Sequence, residues 1–407
     1  MTRRWTSVAR AAGLLRADGT PGATIFAEMS ALAASTGAIN LGQGFPDVDG
    51  PASVAAAAQR AIADGANQYP PGPGILELRE AIAEHQAARY GLVVDPGTQV
   101  LVTAGATEAI AASVLALAGP DDEVLTLEPF YDAYAAVVAM AGATHTTAPL
   151  RATPDGFRVD LAALEQAFTD RTRIVLLNTP HNPTGAVLTH DELVAVARLA
   201  QRHDALVVTD EVYEHLTLDG PHGRPPHVPI ASLPGMAKRT LTISSAGKTF
   251  SFTGWKIGWV AGPEHLVAAV RTVKQFLTYV SGAPFQPAVA FALRDPGVAQ
   301  WVDDLAASLA RRRDLLCEGL VAAGLDVVRP DGTYFVLADA RPLGHEDGAE
   351  LCRALPALAG VVGVPVRAFT TAGSSADEAL ASWVRFTFVK REDVLERAVE
   401  GLARLGR

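Results

Sequence analysis

Only two cysteines, Cys317 and Cys352, occur in 407 residues. They are too few for a disulfide framework and lack the paired spacing of a zinc site, so the expectation is a reducing cytoplasm and no metal centre. Charged residues are scarce at 19%, yet no stretch reaches the 18 apolar residues of a membrane span. Basic residues form no block after the first few positions, and the formal charge is −10. A nucleic-acid surface would have to arise against the overall field, and neither nucleic acid nor a membrane is expected as a partner. The start, Met1-Thr2-Arg3-Arg4-Trp5, has a twin arginine, but the following run is interrupted by Arg10 and Arg16 and has no apolar h-region. Internal repeats and low-complexity tracts are likewise missing.

What is present is the composition of a packed globule: 49% apolar residues, with 36 glycines and 26 prolines dispersed along the chain. At roughly 150 residues per domain the length allows two or three domains. From about residue 98, apolar strand-like runs alternate with helix-period segments, the pattern of a parallel sheet built from βαβ units. The runs are Val100–Thr103, Glu123–Leu127, Thr144–Ala148, Arg173–Leu177, Ala205–Thr209, Thr240–Ile243 and Ile257–Ala261. Residues 20–75 are rich in glycine and proline and read as shaped loops around one helix. After Pro287 a long helix near Val298–Ala323, short strands at Leu325–Val328, Tyr334–Ala338 and Val384–Val389, and a last helix Glu392–Leu405 read as an α+β unit.

Ser244-Ser245-Ala246-Gly247-Lys248-Thr249 contains the Gly-Lys-Thr of a phosphate-binding P-loop, and Leu206–Glu211 imitates the acidic strand that holds magnesium in nucleotide triphosphatases. Two features oppose that reading. The first glycine of the loop would fall at Thr242, and the acidic strand precedes the lysine loop instead of following it. Gly42-Gln43-Gly44 lacks the third glycine of a dinucleotide fingerprint.

The same residues make sense as neighbouring strand ends converging on one cofactor. Lys248, in a loop just after a strand, is a candidate to form a Schiff base with an aldehyde. Asp210, at a strand end, can hold a heterocyclic nitrogen protonated and so make the ring an electron sink. Tyr213 can donate its hydroxyl to an oxygen on that ring, and Asn182 sits in the constrained turn Pro180-His181-Asn182-Pro183-Thr184-Gly185. In Thr103-Ala104-Gly105-Ala106-Thr107-Glu108, small residues open a helix whose free N–H groups, with the Thr107 hydroxyl, suit a phosphate. Ser245 and Lys256 could complete the anion site, and Tyr131 offers a flat face for stacking.

These motifs, in this order, resemble the fold-type I, pyridoxal-phosphate-dependent aminotransferases of class I and II. The resemblance runs from about Thr24 to the C-terminus and is strongest in Asn40–Pro46, Asn67-Gln68-Tyr69, Pro180–Gly185, Thr209–Tyr213, Ser244–Gly258 and Val384–Phe388. It implies an α/β fold with a large domain, a mostly parallel seven-stranded sheet between helices, and a smaller α+β domain. The implied boundaries are 1–45 for an N-terminal arm and part of the small domain, 46–290 for the cofactor domain and 291–407 for the remainder. By the same resemblance Lys248 carries pyridoxal 5'-phosphate and shuttles the proton, Asp210 pairs with the ring nitrogen, and Asn182 and Tyr213 bind the phenolic oxygen. Tyr131 stacks on the ring, and Gly105, Ala106, Thr107, Ser245 and Lys256 hold the phosphate. Tyr69 resembles a tyrosine lent across a homodimer interface to the neighbour's phosphate.

Arg385 looks like the arginine that grips the substrate α-carboxylate, where a bidentate fork is the physical reason for arginine. Gly44 and Asn182 would complete that site. Within the family the chain is most similar to kynurenine, glutamine and methionine aminotransferase-like enzymes, and above all to actinobacterial N-succinyldiaminopimelate aminotransferases (EC 2.6.1.17). Phe26 and Ser281 stand near aromatic residues of the kynurenine enzymes, which points away from kynurenine itself. An amino acid and a 2-oxo acid, commonly 2-oxoglutarate, are the implied substrates of a ping-pong cycle. A pyridoxal-phosphate C–S β-lyase shares every cofactor residue and is the nearest rival.

Overall fold

The computed structural model describes residues 4–16, 18–221 and 223–406, so Met1, Thr2 and Arg3 of the twin-arginine start lie outside the described residues. In chain order the strands are β1 (Ile39–Asn40), β2 (Val100–Thr103), β3 (Glu123–Glu128), β4 (Thr144–Thr153), β5 (Gly156–Val159), β6 (Thr172–Asn178), β7 (Leu206–Asp210) and β8 (Thr240–Ser245). They are followed by β9 (Gly258–Ala261), β10 (Asp326–Val328), β11 (Phe335–Asp339), β12 (Val361–Val362), β13 (Val364–Pro365) and β14 (Trp383–Thr387).

The central sheet has the order β2-β9-β8-β7-β6-β3-β4-β5. Strands β8, β7, β6, β3 and β4 are mutually parallel, while β9 runs antiparallel to both β8 and β2. This mostly parallel α/β sheet has one strand more than the seven expected from sequence. The extra strand, β5, folds back on an elongated β4 through Pro154-Asp155, pairing Leu150 with Val159. Side chains alternate between two apolar layers: Ile174 and Leu176 face one cluster, Val175 and Leu177 the other. Burial on both faces is why these strands read as unbroken apolar runs rather than as alternating ones.

A four-stranded antiparallel sheet, β10-β11-β14-β13, and the parallel pair β1–β12 lie in a separate apolar cluster. The helix Ile25–Thr36 joins that cluster through Met29 and Ala33. The long helix Pro296–Ala322 begins where Asp295 accepts from the Val298 N–H (2.9 Å) with proline at the first helical position, a favourable N-terminus. Between residues 20 and 75 there are two helices, Ile25–Thr36 and Ala52–Ala63, where the sequence reading expected one. The flanking glycines and prolines mask the second, whose alanine-rich face buries Val54 and Ala58. Among the described residues no helix is long and apolar enough to cross a membrane.

The arrangement gathers carboxyl ends of parallel strands at one edge, where open α/β sheets bind ligands. Asn178 ends β6, Asp210 ends β7 and Ser245 ends β8, while the loops after β2 and β3 lead into Gly105 and Tyr131.

Candidate active site

A cavity of about 190 Å³ opens at these strand ends. Ten of the sequence-derived residues line it: Gly105, Ala106, Thr107, Tyr131, Asn182, Asp210, Tyr213, Ser245, Lys248 and Lys256. Arg385, Phe26 and Gly44 lie outside its lining, and Tyr69 is set apart on the surface, 82% exposed.

One wall is the start of the helix Gly105–Leu117. Its N-cap, Ala104, gives no side-chain cap, so the first-turn N–H groups are not satisfied by a local side chain. The Ala104 N–H itself donates to Glu108 Oε2 at 2.6 Å. Gly105 has a φ of +76°, and a Cβ there would come within 3.2 Å of Lys256 Cε and Nζ. Gly258 presses the loop from the other side, since a Cβ on it would lie 2.6 Å from the Gly105 carbonyl carbon and 2.7 Å from the Ala106 nitrogen. Free N–H groups, the positive end of a helix, a lysine and two hydroxyls form an anion cradle.

Across the cavity Asp210 is buried and accepts from the Tyr134 hydroxyl through Oδ2 at 2.7 Å. Burial pushes its carboxyl up to about 6, against the hydrogen bond from Tyr134. A cationic ring nitrogen is the partner that would restore the charged form. The Asn178 side chain fixes the turn, donating to the Asp210 carbonyl (2.7 Å) and accepting from the Asn182 N–H (2.7 Å). Asn182 Oδ1 in turn accepts from Arg385 Nη1 at 3.0 Å, which leaves the amide NH₂ of Asn182 free to donate.

Lys248 is half-buried and its Nζ donates to the Tyr334 hydroxyl at 3.0 Å. That hydroxyl donates to the Gly44 carbonyl at 2.7 Å, tying the lysine to the Gly42–Pro46 segment. Tyr213 is buried with its ring perpendicular to that of Tyr334, centroids 5.3 Å apart, and burial raises its phenol well above the ordinary range. Tyr131 packs edge-on against Tyr134 with centroids 5.6 Å apart, and burial raises its phenol to about 12, so both hydroxyls are donors at neutral pH.

Arg385, on β14, is buried with its guanidinium carbon 4.1 Å from the Phe335 ring centroid, 4.6 Å from Phe369 and 5.3 Å from Phe26. Burial lowers it to about 10, so it stays cationic at neutral pH. Nη2 donates to the Gly42 carbonyl (2.9 Å), whereas the buried Nε has no partner. An unsatisfied buried donor costs about 1–3 kcal/mol, which an incoming acceptor would relieve. Gly44 packs so closely on Phe335 that a Cβ would lie 2.4 Å from its Cζ.

Sequence reasoning gave no role to Tyr334, Tyr134, Asn178 or the Phe335 and Phe369 faces around Arg385. Tyr334 and Phe335 follow Gly332-Thr333, where Thr333 takes a φ of +62°. A lysine beside an anion cradle, a buried carboxylate opposite, phenol and amide donors between them, and a flat aromatic wall fit a phosphorylated heteroaromatic aldehyde such as pyridoxal phosphate.

Comparison with known proteins agrees with this geometry. The family profile described as aminotransferase class I and II matches residues 36–402. The probable N-succinyldiaminopimelate aminotransferase of Mycobacterium tuberculosis is 55% identical over 384 residues, 93% of this chain and 95% of the relative. The methionine aminotransferase of Escherichia coli is 37% identical over 94% of this chain and 96% of its own. Among solved structures, N-succinyldiaminopimelate aminotransferase from M. tuberculosis superposes with a TM-score of 0.91 at 52% identity, covering 100% of both chains.

Proposed function

Since the chain belongs to the class I and II aminotransferases, which are pyridoxal-phosphate enzymes of fold type I, we propose that it transaminates N-succinyl-LL-2,6-diaminopimelate, with 2-oxoglutarate and glutamate as the other pair. The 55% identity to the mycobacterial enzyme, over nearly the whole of both chains, carries this choice of substrate.

When bound, pyridoxal phosphate supplies an electron sink for the charge left at Cα when its proton departs. In this reading the chain's own residues do the rest. Gly105, Ala106, Thr107, Ser245 and Lys256 hold the phosphate, Tyr131 packs on the ring, and Tyr213 and Asn182 donate to its phenolic oxygen. Asp210 keeps the ring nitrogen protonated. Lys248 anchors the aldehyde carbon and then moves the proton between Cα and that carbon. Arg385 grips the α-carboxylate through its fork, with Gly44 and Asn182 completing the site and Phe26 roofing the guanidinium.

The proposal extends to a homodimer. Tyr69 is 82% exposed and meets Tyr279 edge-on at 5.6 Å, and Phe276, three positions before Tyr279 in the chain, is 85% exposed. Large exposed aromatics grouped in this way suit a subunit interface, across which Tyr69 reaches the neighbour's phosphate. A sedimenting species of two chains is expected; a monomer with full activity would overturn it. The two free cysteines are buried, which fits a cytoplasmic enzyme.

The substrate is tested with a panel of amino donors against 2-oxoglutarate, including methionine, kynurenine, glutamine and a cysteine conjugate. N-succinyl-LL-2,6-diaminopimelate is expected to give the highest kcat/KM. A higher value for methionine or kynurenine would reassign the substrate, and pyruvate with ammonia from the conjugate would mark a β-lyase. Arg385→Ala should raise KM for every donor in the panel by about 10²-fold, as expected for losing a charged hydrogen-bonded pair; unchanged values would place the carboxylate elsewhere.

A further inference from the structure

Lys248 lines the first cavity, and the next residue, Thr249, lines a second of about 480 Å³. Two histidines stand in the wall of that second cavity: His85 from the helix Leu76–Tyr90 and His215 from the turn after β7. Their Nε2 atoms face each other at 3.1 Å. Glu214 completes a group of three whose ligand-capable atoms all lie within 4.8 Å of one another.

We propose that His85, Glu214 and His215 form a binding site for a divalent transition metal of the zinc type, with an open coordination position toward the second cavity. Two imidazole nitrogens bound to one tetrahedral zinc, each at about 2.0–2.1 Å, stand about 3.3 Å apart, so the observed separation is nearly that of a ligand pair. Two imidazoles and a carboxylate are a recurrent zinc donor set, and three protein ligands leave the fourth position for water or an anion. Glu214 is held by the Tyr90 hydroxyl on Oε2 (2.6 Å) and the Ser244 hydroxyl on Oε1 (2.5 Å). Those bonds orient the carboxylate and leave each oxygen a further lone pair for a metal. The cavity is lined by Arg89 and by Arg294, whose guanidinium forks onto Glu84 at 2.7 and 2.8 Å.

The site is independent of the amino-transfer reading, because it uses none of the residues assigned to the cofactor or substrate. Its place in the fold gives it a consequence: the ion would join the helix Leu76–Tyr90 to the turn that follows Asp210. Cysteine spacing, the sequence signal for a metal centre, is blind to this site, since His85 and His215 lie 130 positions apart.

The test uses the pyridoxal-phosphate-loaded protein, freed of metal by dialysis against a chelator and then equilibrated with Zn²⁺ alone. A single retained zinc per chain is expected, lost in both His85→Gln and Glu214→Gln. Co²⁺ in its place should give the strong visible bands of a low-coordinate ion, absent from the variants. His85 is only partly buried, so His85→Gln should keep the native circular dichroism and isolates loss of a ligand from loss of fold. A wild-type protein that retains no zinc, or a folded His85→Gln protein that retains as much, would overturn the site.

Discussion

Replacing Lys248 by alanine is expected to lower turnover by about 10⁴-fold or more, since the change removes both the covalent anchor and the proton-transfer group. The fold should survive it. Lys248 is half-buried and its hydrogen bond runs to the Tyr334 hydroxyl, which retains the Gly44 carbonyl as a partner. A single such bond contributes about 1 kcal/mol, so the thermal midpoint should move by a few degrees at most. The cradle at Gly105–Thr107, with Ser245 and Lys256, does not depend on the lysine's amine, and pyridoxal phosphate should still bind, now reversibly. Steady-state transamination, thermal unfolding and retention of the cofactor on gel filtration separate these effects. A variant that turns over at the wild-type rate would remove Lys248 from the chemistry.

Asp210→Asn is the second large effect. Asparagine keeps the shape and an oxygen for the Tyr134 hydroxyl but removes the charge facing the ring nitrogen. Breaking a buried charge pair from one side costs about 3–5 kcal/mol, so kcat/KM should fall by about 10²-fold or more. The pH behaviour adds a second readout with a definite sign. In the cofactor-free protein burial raises this carboxyl to about 6. Below that pH it is protonated and offers no charge to a ring cation; above it the carboxylate is available. Affinity of the wild-type protein for pyridoxal phosphate should therefore rise with pH through about 6, whereas the Asp210→Asn protein should lack that component. An identical pH profile for the two would show that another group pairs with the ring.

Both predictions rest on residues that were legible in the sequence for a local reason. Asp210, Ser245 and the Gly105 loop each stand at the end of a short apolar strand or just after one, and parallel strands deliver their carboxyl-end loops to the same edge of the sheet. Asn182 was legible because two prolines and a glycine enclose it. Arg385 had no such local cue; the resemblance alone marked it, and its setting between Phe26, Phe335 and Phe369 depends on three segments distant in sequence. Tyr334 is the clearest omission. Its contacts with Lys248 and Gly44 span 86 and 290 positions, and periodicity carries no information on such pairings. The eighth strand was missed for a different reason: β4 continues past Ala148 through Pro149–Thr153, where Leu150 alone is buried and no apolar run marks a strand, and its Pro154-Asp155 turn carried the hairpin signal.

Amino transfer from this site is tested most directly in a half-reaction. The purified, pyridoxal-phosphate-loaded protein is mixed with N-succinyl-LL-2,6-diaminopimelate and no 2-oxo acid, and the visible absorbance and the products are followed together. The expected result is bleaching of the visible band with release of one equivalent of the keto acid per chain and no ammonia, and recovery of the band when 2-oxoglutarate is added. Continuous product formation with ammonia, or an absorbance that neither falls with the donor nor recovers with the acceptor, would contradict it.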